Sequence, residues 1–213
     1  IKEYLGSCTA IKFVAHSSTT SENVLYTDAL GTKVYAVING NTLEIHAACD
    51  LFKADANSAK MFYRLLDVTT IDFNDCFDTS DVTNMQQMFA MSNSLTSLDL
   101  SCFDTSKVTD MRAMFRICAN LATLDLSSFD TSKVTDMVEM FLSCQALTSL
   151  DLSSFDTSNV TDMCYMFEDC RELTSLDLSH FNTSNVTDMR YMFRNCIELT
   201  SLDLSHFNTS KVI

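Results

Sequence analysis

Hydrophobic residues recur along most of the chain with a fixed period of 26 residues. The dipeptide Met-Phe follows this period from Met88 to Met192, and an earlier copy at Met61 lies 27 residues before Met88. We therefore expect a degenerate first unit with one extra residue near Asn74. Self-similarity at such a period is the signature of a repeat protein whose units share one core. The motif Phe-Asp/Asn-Thr-Ser begins at Phe77, Phe103, Phe129, Phe155, Phe181 and Phe207.

Each repeat combines two hydrophobic patterns, which residues 144–169 and the following Cys170 illustrate. Leu147, Leu150 and Leu152 have the spacing of a leucine-rich repeat, and the last two lie on one face of a short strand. Further on, four apolar side chains fall at i, i+3, i+4 and i+7, the spacing of one face of a two-turn helix. They are Met163, Met166, Phe167 and Cys170. The two patterns predict an α/β solenoid, a leucine-rich-repeat-like coil with one short strand and one short helix per repeat.

The repeats contain no glycine or proline, the residues that most often make turns. All three glycines of the chain precede residue 41, and proline is absent. Asp156 and Ser158 of the Phe-Asp-Thr-Ser motif can take over this role, because their side chains can bond nearby backbone amides. Asn182 and Asn208 replace the motif aspartate, which keeps the acceptor oxygen and removes the charge. The lack of glycine also excludes phosphate-binding loops and dinucleotide-binding motifs.

The first 58 residues have a different pattern. Residues 8–16 alternate like a strand, and residues 30–47 alternate like two strands around Asn39-Gly40, a favoured two-residue hairpin turn. We therefore predict an N-terminal β-rich capping region at residues 1–58. The repeat domain is predicted at residues 59–213, with a degenerate first repeat and a truncated last one.

The charge of the chain disfavours two classes of partner. Lys and Arg number 14 against 28 Asp and Glu, which gives a formal net charge of −14. Nucleic acids and anionic membrane surfaces are repelled by such a chain on average. No apolar run is long enough to cross a bilayer. We expect neither nucleic-acid binding nor membrane insertion within this chain.

One aspartate recurs between the two strand leucines and is never replaced by asparagine. Unlike the motif aspartate, it has no evident role in a turn. On a leucine-rich coil it would project from the concave sheet, with neighbouring carboxylates about 5 Å apart. Two interpretations stay open: a strip that binds a basic partner or divalent cations, or a solvated face bonded to flanking Ser and Thr. The candidate partner-binding residues are Asp99, Asp125, Asp151, Asp177 and Asp203.

Six of the nine cysteines fall into two groups of interest. Four of them recur every 26 residues on the inner face of the predicted helices. They lack the close pairing typical of zinc sites, so we expect reduced thiols packed in the core and no metal site. Cys76 and Cys102 precede the repeat Phe in adjacent coils, where their separation could suit a disulfide. The four core cysteines are Cys118, Cys144, Cys170 and Cys196.

The full pattern L-x-x-L-D-L-S-x-F-D-T-S-x-V-T-D-M-x-x-M-F-x-x-C resembles the 26-residue repeat of the BspA-like leucine-rich-repeat surface proteins of bacteria. The resemblance covers about residues 59–213. It implies an extracellular or cell-surface location. It also implies adhesion, or binding of a protein or glycan of a host or neighbouring cell, through the repeat surface.

Three further expectations concern function and assembly. Near-identical outward positions also suit a rigid spacer that presents another domain from the cell envelope. No nucleophile motif, zinc-protease helix or acid pair stands outside the repeats, so we expect no enzymatic activity and no cofactor. The end of the predicted solenoid near Ile213 lacks a cap, which suggests possible self-association there.

Overall fold

A computed structural model describes residues 5, 7–15, 17–18, 24–27 and 33–213. Among these residues only Leu5 is helical. Nine strands lie in the same part of the chain. They are β1 (Ala10–Val14), β2 (Val24–Thr27), β3 (Lys33–Asn39), β4 (Thr42–Ala47), β5 (Phe52–Lys53), β6 (Thr70–Asp72), β7 (Phe77–Asp78), β8 (Ser97–Leu98) and β9 (Thr123–Leu124).

Five of these strands form one sheet in the order β2-β3-β4-β1-β6. Strands β3 and β4 are an antiparallel hairpin, and β1 pairs in parallel with both β4 and β6. This confirms the predicted hairpin over residues 33–47 and the strand over residues 10–14; residues 16 and 30–32 lie outside the described residues. Because β6 belongs to the first repeat, the sheet runs directly from the N-terminal residues into the repeats.

The hairpin loop lies one residue later than predicted. Asn39 pairs with Thr42, so the two loop residues are Gly40 and Asn41. The angle φ is positive at Gly40 (59°) and not at Asn41, which is the pattern of a type II′ turn. A Cβ atom at Gly40 would meet no other atom within 4 Å. Backbone conformation, rather than lack of space, therefore calls for glycine here.

The predicted α/β solenoid of strand plus helix is wrong, because the described residues of the repeats contain no helix. The segment predicted as helix makes successive turns instead. In the second repeat the N–H of Met88 donates to the carbonyl oxygen of Met85, and Gln87 between them has φ 54°. Another turn follows, with φ 60° at Met91. Positive φ at the third residue is typical of a type II turn, which normally uses glycine or asparagine there.

The neighbouring repeat explains why no helix forms. The N–H of Gln87 donates to the carbonyl oxygen of Arg112, and that of Phe89 to Met114, both at 2.9 Å. A helix would need these amides for bonds within its own segment. The turns still direct the predicted apolar set inward, so the spacing i, i+3, i+4, i+7 marks a buried face without a helix. In the third repeat Met111, Met114, Phe115 and Cys118 are all fully buried.

Equivalent side chains of successive repeats stack in columns through the core. The phenylalanines of the Met-Phe pairs form the longest column, with ring centroids 5.3–5.8 Å apart and rings within 8° of parallel. Stacking of this kind adds to the free energy gained by burial. The column consists of Phe62, Phe89, Phe115, Phe141, Phe167 and Phe193.

Buried polar side chains connect each repeat to the next. The hydroxyl of Thr105 donates to the carbonyl oxygen of Asp130 at 3.0 Å and accepts the N–H of Asp130 at 2.8 Å. The thiol of Cys144 donates to the carbonyl oxygen of Phe115 at 3.2 Å. Burial raises the pKa of the Cys118 and Cys170 thiols to about 12. These contacts confirm that the repeating cysteines pack in a column, and their reduced state stays a prediction.

Candidate functional site

The predicted partner-binding aspartates lie exposed on the strand side of the repeats, and we call them the strand-face row. Strands β8 and β9 pair in parallel with Leu98 opposite Leu124, so Asp99 and Asp125 occupy equivalent positions on adjacent repeats. Paired strands are about 4.8 Å apart, which sets the spacing of the row at this point. The strand-face row consists of Asp99, Asp125, Asp151, Asp177 and Asp203.

Each carboxylate of the strand-face row does take part in a turn, which sequence patterns did not reveal. Oδ1 of Asp125 accepts the N–H of Ser127 at 2.9 Å, and the other four aspartates bond the serine two residues later at 2.9–3.0 Å. The motif aspartates make the same turn, as predicted, for example Asp156 with the N–H of Ser158 at 2.9 Å. Turn formation therefore does not distinguish the row from the other aspartates of the repeat.

These hydrogen bonds keep the strand-face row ionised. The N–H of Ser127 lowers the pKa of Asp125, while the nearby carboxylate of Asp151 opposes the shift only weakly. The pKa values of the other four aspartates are lowered in the same way by the serine amide that each accepts. Hydrogen bonds to the charged form favour that form. The row thus carries its full negative charge at neutral pH.

Three adjoining depressions follow the strand face and form one groove. The first has a volume of about 390 Å³, the second about 620 Å³ and the third about 290 Å³. Asp99 lines the first and second, Asp151 lines the second and third, and Asp177 lines the third. Serine and threonine hydroxyls supply much of the remaining lining. No Lys or Arg is among the described residues that line the groove.

A separate cavity of about 600 Å³ lies between the N-terminal sheet and the first repeat. Its described lining is mainly apolar and includes Phe13, Ile45, Phe52 and Met61. The ion pair between Lys53 and Asp81 borders it. None of the predicted site residues lines this cavity, so it is distinct from the strand-face row.

The predicted cysteine pair is unbonded in this structure, in which all nine thiols are free. The thiol of Cys76 donates to the carbonyl oxygen of Phe73 at 3.1 Å. Asn74 and Asp75 lie between Phe73 and Cys76 and have φ values of 50° and 51°. The expected extra residue is therefore accommodated in a turn. Burial raises the pKa of both Cys76 and Cys102. The disulfide between them stays a prediction.

One group of possible metal ligands escaped the sequence patterns. The ligand atoms of Asp162, Cys164 and Asp188 all lie within 4.8 Å of one another. Arg190 already pairs with Asp188 at 2.6 Å, and burial together with that carboxylate raises the pKa of Cys164 to about 11. A metal would have to displace both the thiol proton and the ion pair with Arg190 in order to bind here. The group was missed because Asp188 comes from the next repeat, so the three residues do not form a motif of short spacing in the sequence.

A family model described as "Mycoplasma protein of unknown function, DUF285" matches residues 56–150 and 117–213. The chain belongs to this family. The two matches span the repeats from residue 56 to residue 213. The comparison with curated proteins and the comparison with solved structures gave no match. In the part of the chain that the structure describes, no helix is long and apolar enough to cross a membrane.

Proposed function

We propose that this chain is a cell-surface or secreted binding protein whose strand face holds a protein or glycan of a host or neighbouring cell. One observation carries the proposal: the strand-face row is ionised, and four of its five aspartates, all but Asp203, line a groove of adjoining depressions over successive repeats. The resemblance of the repeat to that of BspA-like surface proteins supports the extracellular location.

The electrostatics of the groove favour a partner that presents positive charge. No Lys or Arg is among the groove's described lining residues, so its lining offers little fixed positive charge to balance the row. Complementary potentials increase the association rate and select among partners. A basic protein surface, or a glycan whose hydroxyls bond the carboxylates, fits such a groove.

Substitution of Asn for Asp tests the row without disturbing the fold. In Asp125→Asn/Asp151→Asn/Asp177→Asn each Asn retains the oxygen that accepts the serine amide, as Asn182 does for Ser184. The triple variant should lose most of its binding to an oligolysine peptide and to any matrix protein or glycan that an array identifies. Calorimetry and array binding at low and high salt measure this loss.

The repeat supplies a matched control for this experiment. Asp104→Asn/Asp130→Asn/Asp156→Asn removes the same charge from exposed motif aspartates that make the same turn. It should retain binding if the groove is the site. Equal losses in the two triple variants would indicate only a general effect of net charge, and unchanged binding in both would contradict the proposal.

A rigid spacer is the second candidate function, and the unbroken phenylalanine column favours it. Deleting one whole 26-residue repeat, for example residues 118–143, should shorten the particle by about one strand spacing of 4.8 Å. Small-angle X-ray scattering measures this change. Self-association near Ile213 stays a prediction, and light scattering over a concentration series tests it.

A further inference from the structure

The tip of the β3–β4 hairpin carries the single Asn-Gly dipeptide of the chain, Asn39-Gly40. We propose that Asn39 is a site of spontaneous deamidation. The backbone nitrogen of Gly40 attacks Cγ of Asn39 and loses its proton, the Cγ–Nδ2 bond breaks, and ammonia leaves. Water then opens the cyclic imide to give aspartate or isoaspartate. No oxidant, enzyme or cofactor takes part.

The structure provides the access that this reaction needs. Asn39 and Gly40 are both exposed at the loop. A Cβ atom placed on Gly40 would meet no atom within 4 Å apart from those of its chain neighbours, so no other part of the chain packs against this side of the loop. The only hydrogen bond described for the Asn39 side chain is exposed, from Nδ2 to Oε1 of Glu44 at 3.1 Å.

Five asparagines in the repeats are protected by comparison. The side-chain oxygens of Asn84, Asn182 and Asn208 each hold a turn by accepting the N–H two residues later. The side-chain Nδ2 groups of Asn159 and Asn185 each donate to a backbone carbonyl of the preceding repeat at 2.7 Å. All five precede a residue with a side chain, which hinders attack by the following nitrogen.

Deamidation at this position would affect a chain of hydrogen bonds. Glu44 accepts from Asn39 and also bonds Nε2 of His46 at 2.8 Å, and Nδ1 of His46 lies 2.8 Å from Oγ of Ser17. The bond from Asn39 is the foremost cause that lowers the pKa of Glu44. A carboxylate at position 39 replaces that donor with a like charge, so the pKa of Glu44 should rise.

Peptide mapping by mass spectrometry tests the proposal on the intact chain. During incubation in mildly alkaline buffer, Asn39 should convert to aspartate and isoaspartate, and mildly acidic buffer should slow the conversion. Asn41 is an internal control because it is equally exposed and precedes the β-branched Thr42. Conversion at Asn39 with Asn41 intact supports the proposal.

Two variants separate the chemistry from unfolding. Gly40→Ala should slow the conversion, and Asn39→Asp should reproduce the raised pKa of Glu44 in an NMR titration without incubation. An Asn39 amide that persists as long as that of Asn41 would overturn the proposal. So would equal conversion rates with Gly40 and with Ala at position 40 in folded protein.

Discussion

The N-terminal sheet and the repeats hold neighbouring backbone segments side by side by different means. In the sheet, β3 and β4 have seven and six residues, and glycine makes their turn. In the repeats, β8 and β9 have two residues each, and equivalent segments are joined both by backbone hydrogen bonds at turns and by side chains that bond the backbone. Short strands are therefore sufficient when side chains satisfy the turns and connect neighbours.

The comparison also concerns positive φ. The sheet region places glycine at its one described position of this kind, Gly40, whereas every such position in the repeats carries a side chain. Left-handed backbone costs an L-residue about 1–2 kcal/mol. The repeats accept that cost because inter-repeat hydrogen bonds fix the turns, for example from the N–H of Arg64 to Ala90.

The largest expected effect comes from the phenylalanine column. Phe115→Ala removes a fully buried ring that stacks on Phe89 and Phe141 at 5.7 and 5.8 Å, and should lower the free energy of unfolding by about 3–5 kcal/mol. Denaturant unfolding measures this loss, with Phe115→Leu as the milder control. Hydrogen exchange should show the loss of protection centred on residues 85–145. Equal loss in β1 and β4 would show that the two regions unfold as one unit.

A smaller effect is expected from the threonines that join the repeats. Thr105→Val keeps the shape of the buried side chain but leaves the N–H and carbonyl of Asp130 without this partner. Such a loss costs about 1–3 kcal/mol. Thr105→Ser retains the hydroxyl and should recover most of the stability in thermal unfolding. If Val and Ser destabilise equally, the hydroxyl does not join the repeats.

Removing one glycine and introducing another should change the stability of the protein in opposite directions. Gly40→Ala places a Cβ at φ 59° and should destabilise by about 1–2 kcal/mol. Arg64 is exposed and has φ 56°, a backbone conformation that glycine adopts without strain. Arg64→Gly should therefore raise the free energy of unfolding by about 0.5–1 kcal/mol, after the greater backbone entropy of glycine in the unfolded chain is subtracted. Arg64→Ala is the control, because it keeps the Cβ and the strain. Chemical denaturation of all three variants measures the contrast, and a destabilised Arg64→Gly would contradict it.

The smallest expected effect is that the stability of the repeats depends on pH in the acidic range. Serine amides lower the pKa of Asp99, Asp125 and Asp151 below the ordinary value of 3.8. Their stabilising contribution is present above the unfolded-state pKa and is lost as pH falls through the lowered values. Thermal unfolding should therefore show declining stability below about pH 4. Asp136 opposes this trend, because burial raises its pKa.

The Asp125→Asn/Asp151→Asn/Asp177→Asn variant tests whether the carboxyl groups of the strand-face row cause this loss of stability in acid. It keeps the turn bonds and removes three of the lowered carboxyl groups, so its stability should depend less on pH in the acidic range. An unchanged pH profile would mean that other carboxylates control acid unfolding.

Sequence patterns predicted which residues are buried better than they predicted backbone conformation. Met111, Phe115 and Cys118 were expected inside and lie inside. The helix was wrong because its evidence was local spacing, whereas the carbonyls that compete for those amides come from a residue 25 positions away, as from Gln87 to Arg112. Spacing along one repeat cannot reveal a partner in the next.

The candidate site, like the fold, was predicted only in part from the sequence. The exposed row could be read from the sequence, since Asp125 alternates with buried Leu124 and Leu126. Its turn bonds could not, because they depend on the backbone path after the strand. The group of Asp162, Cys164 and Asp188 needed the register between repeats, which only the fold supplies.

Uniform contacts between repeats have a consequence for how such chains can change. Each repeat offers its successor nearly the same amides, the same phenylalanine face and the same threonine hydroxyl. Loss or duplication of one whole 26-residue unit would therefore leave every remaining contact with a suitable partner. The number of repeats can vary by recombination within the gene, and the reach of the molecule and the length of its acidic groove would change in equal steps.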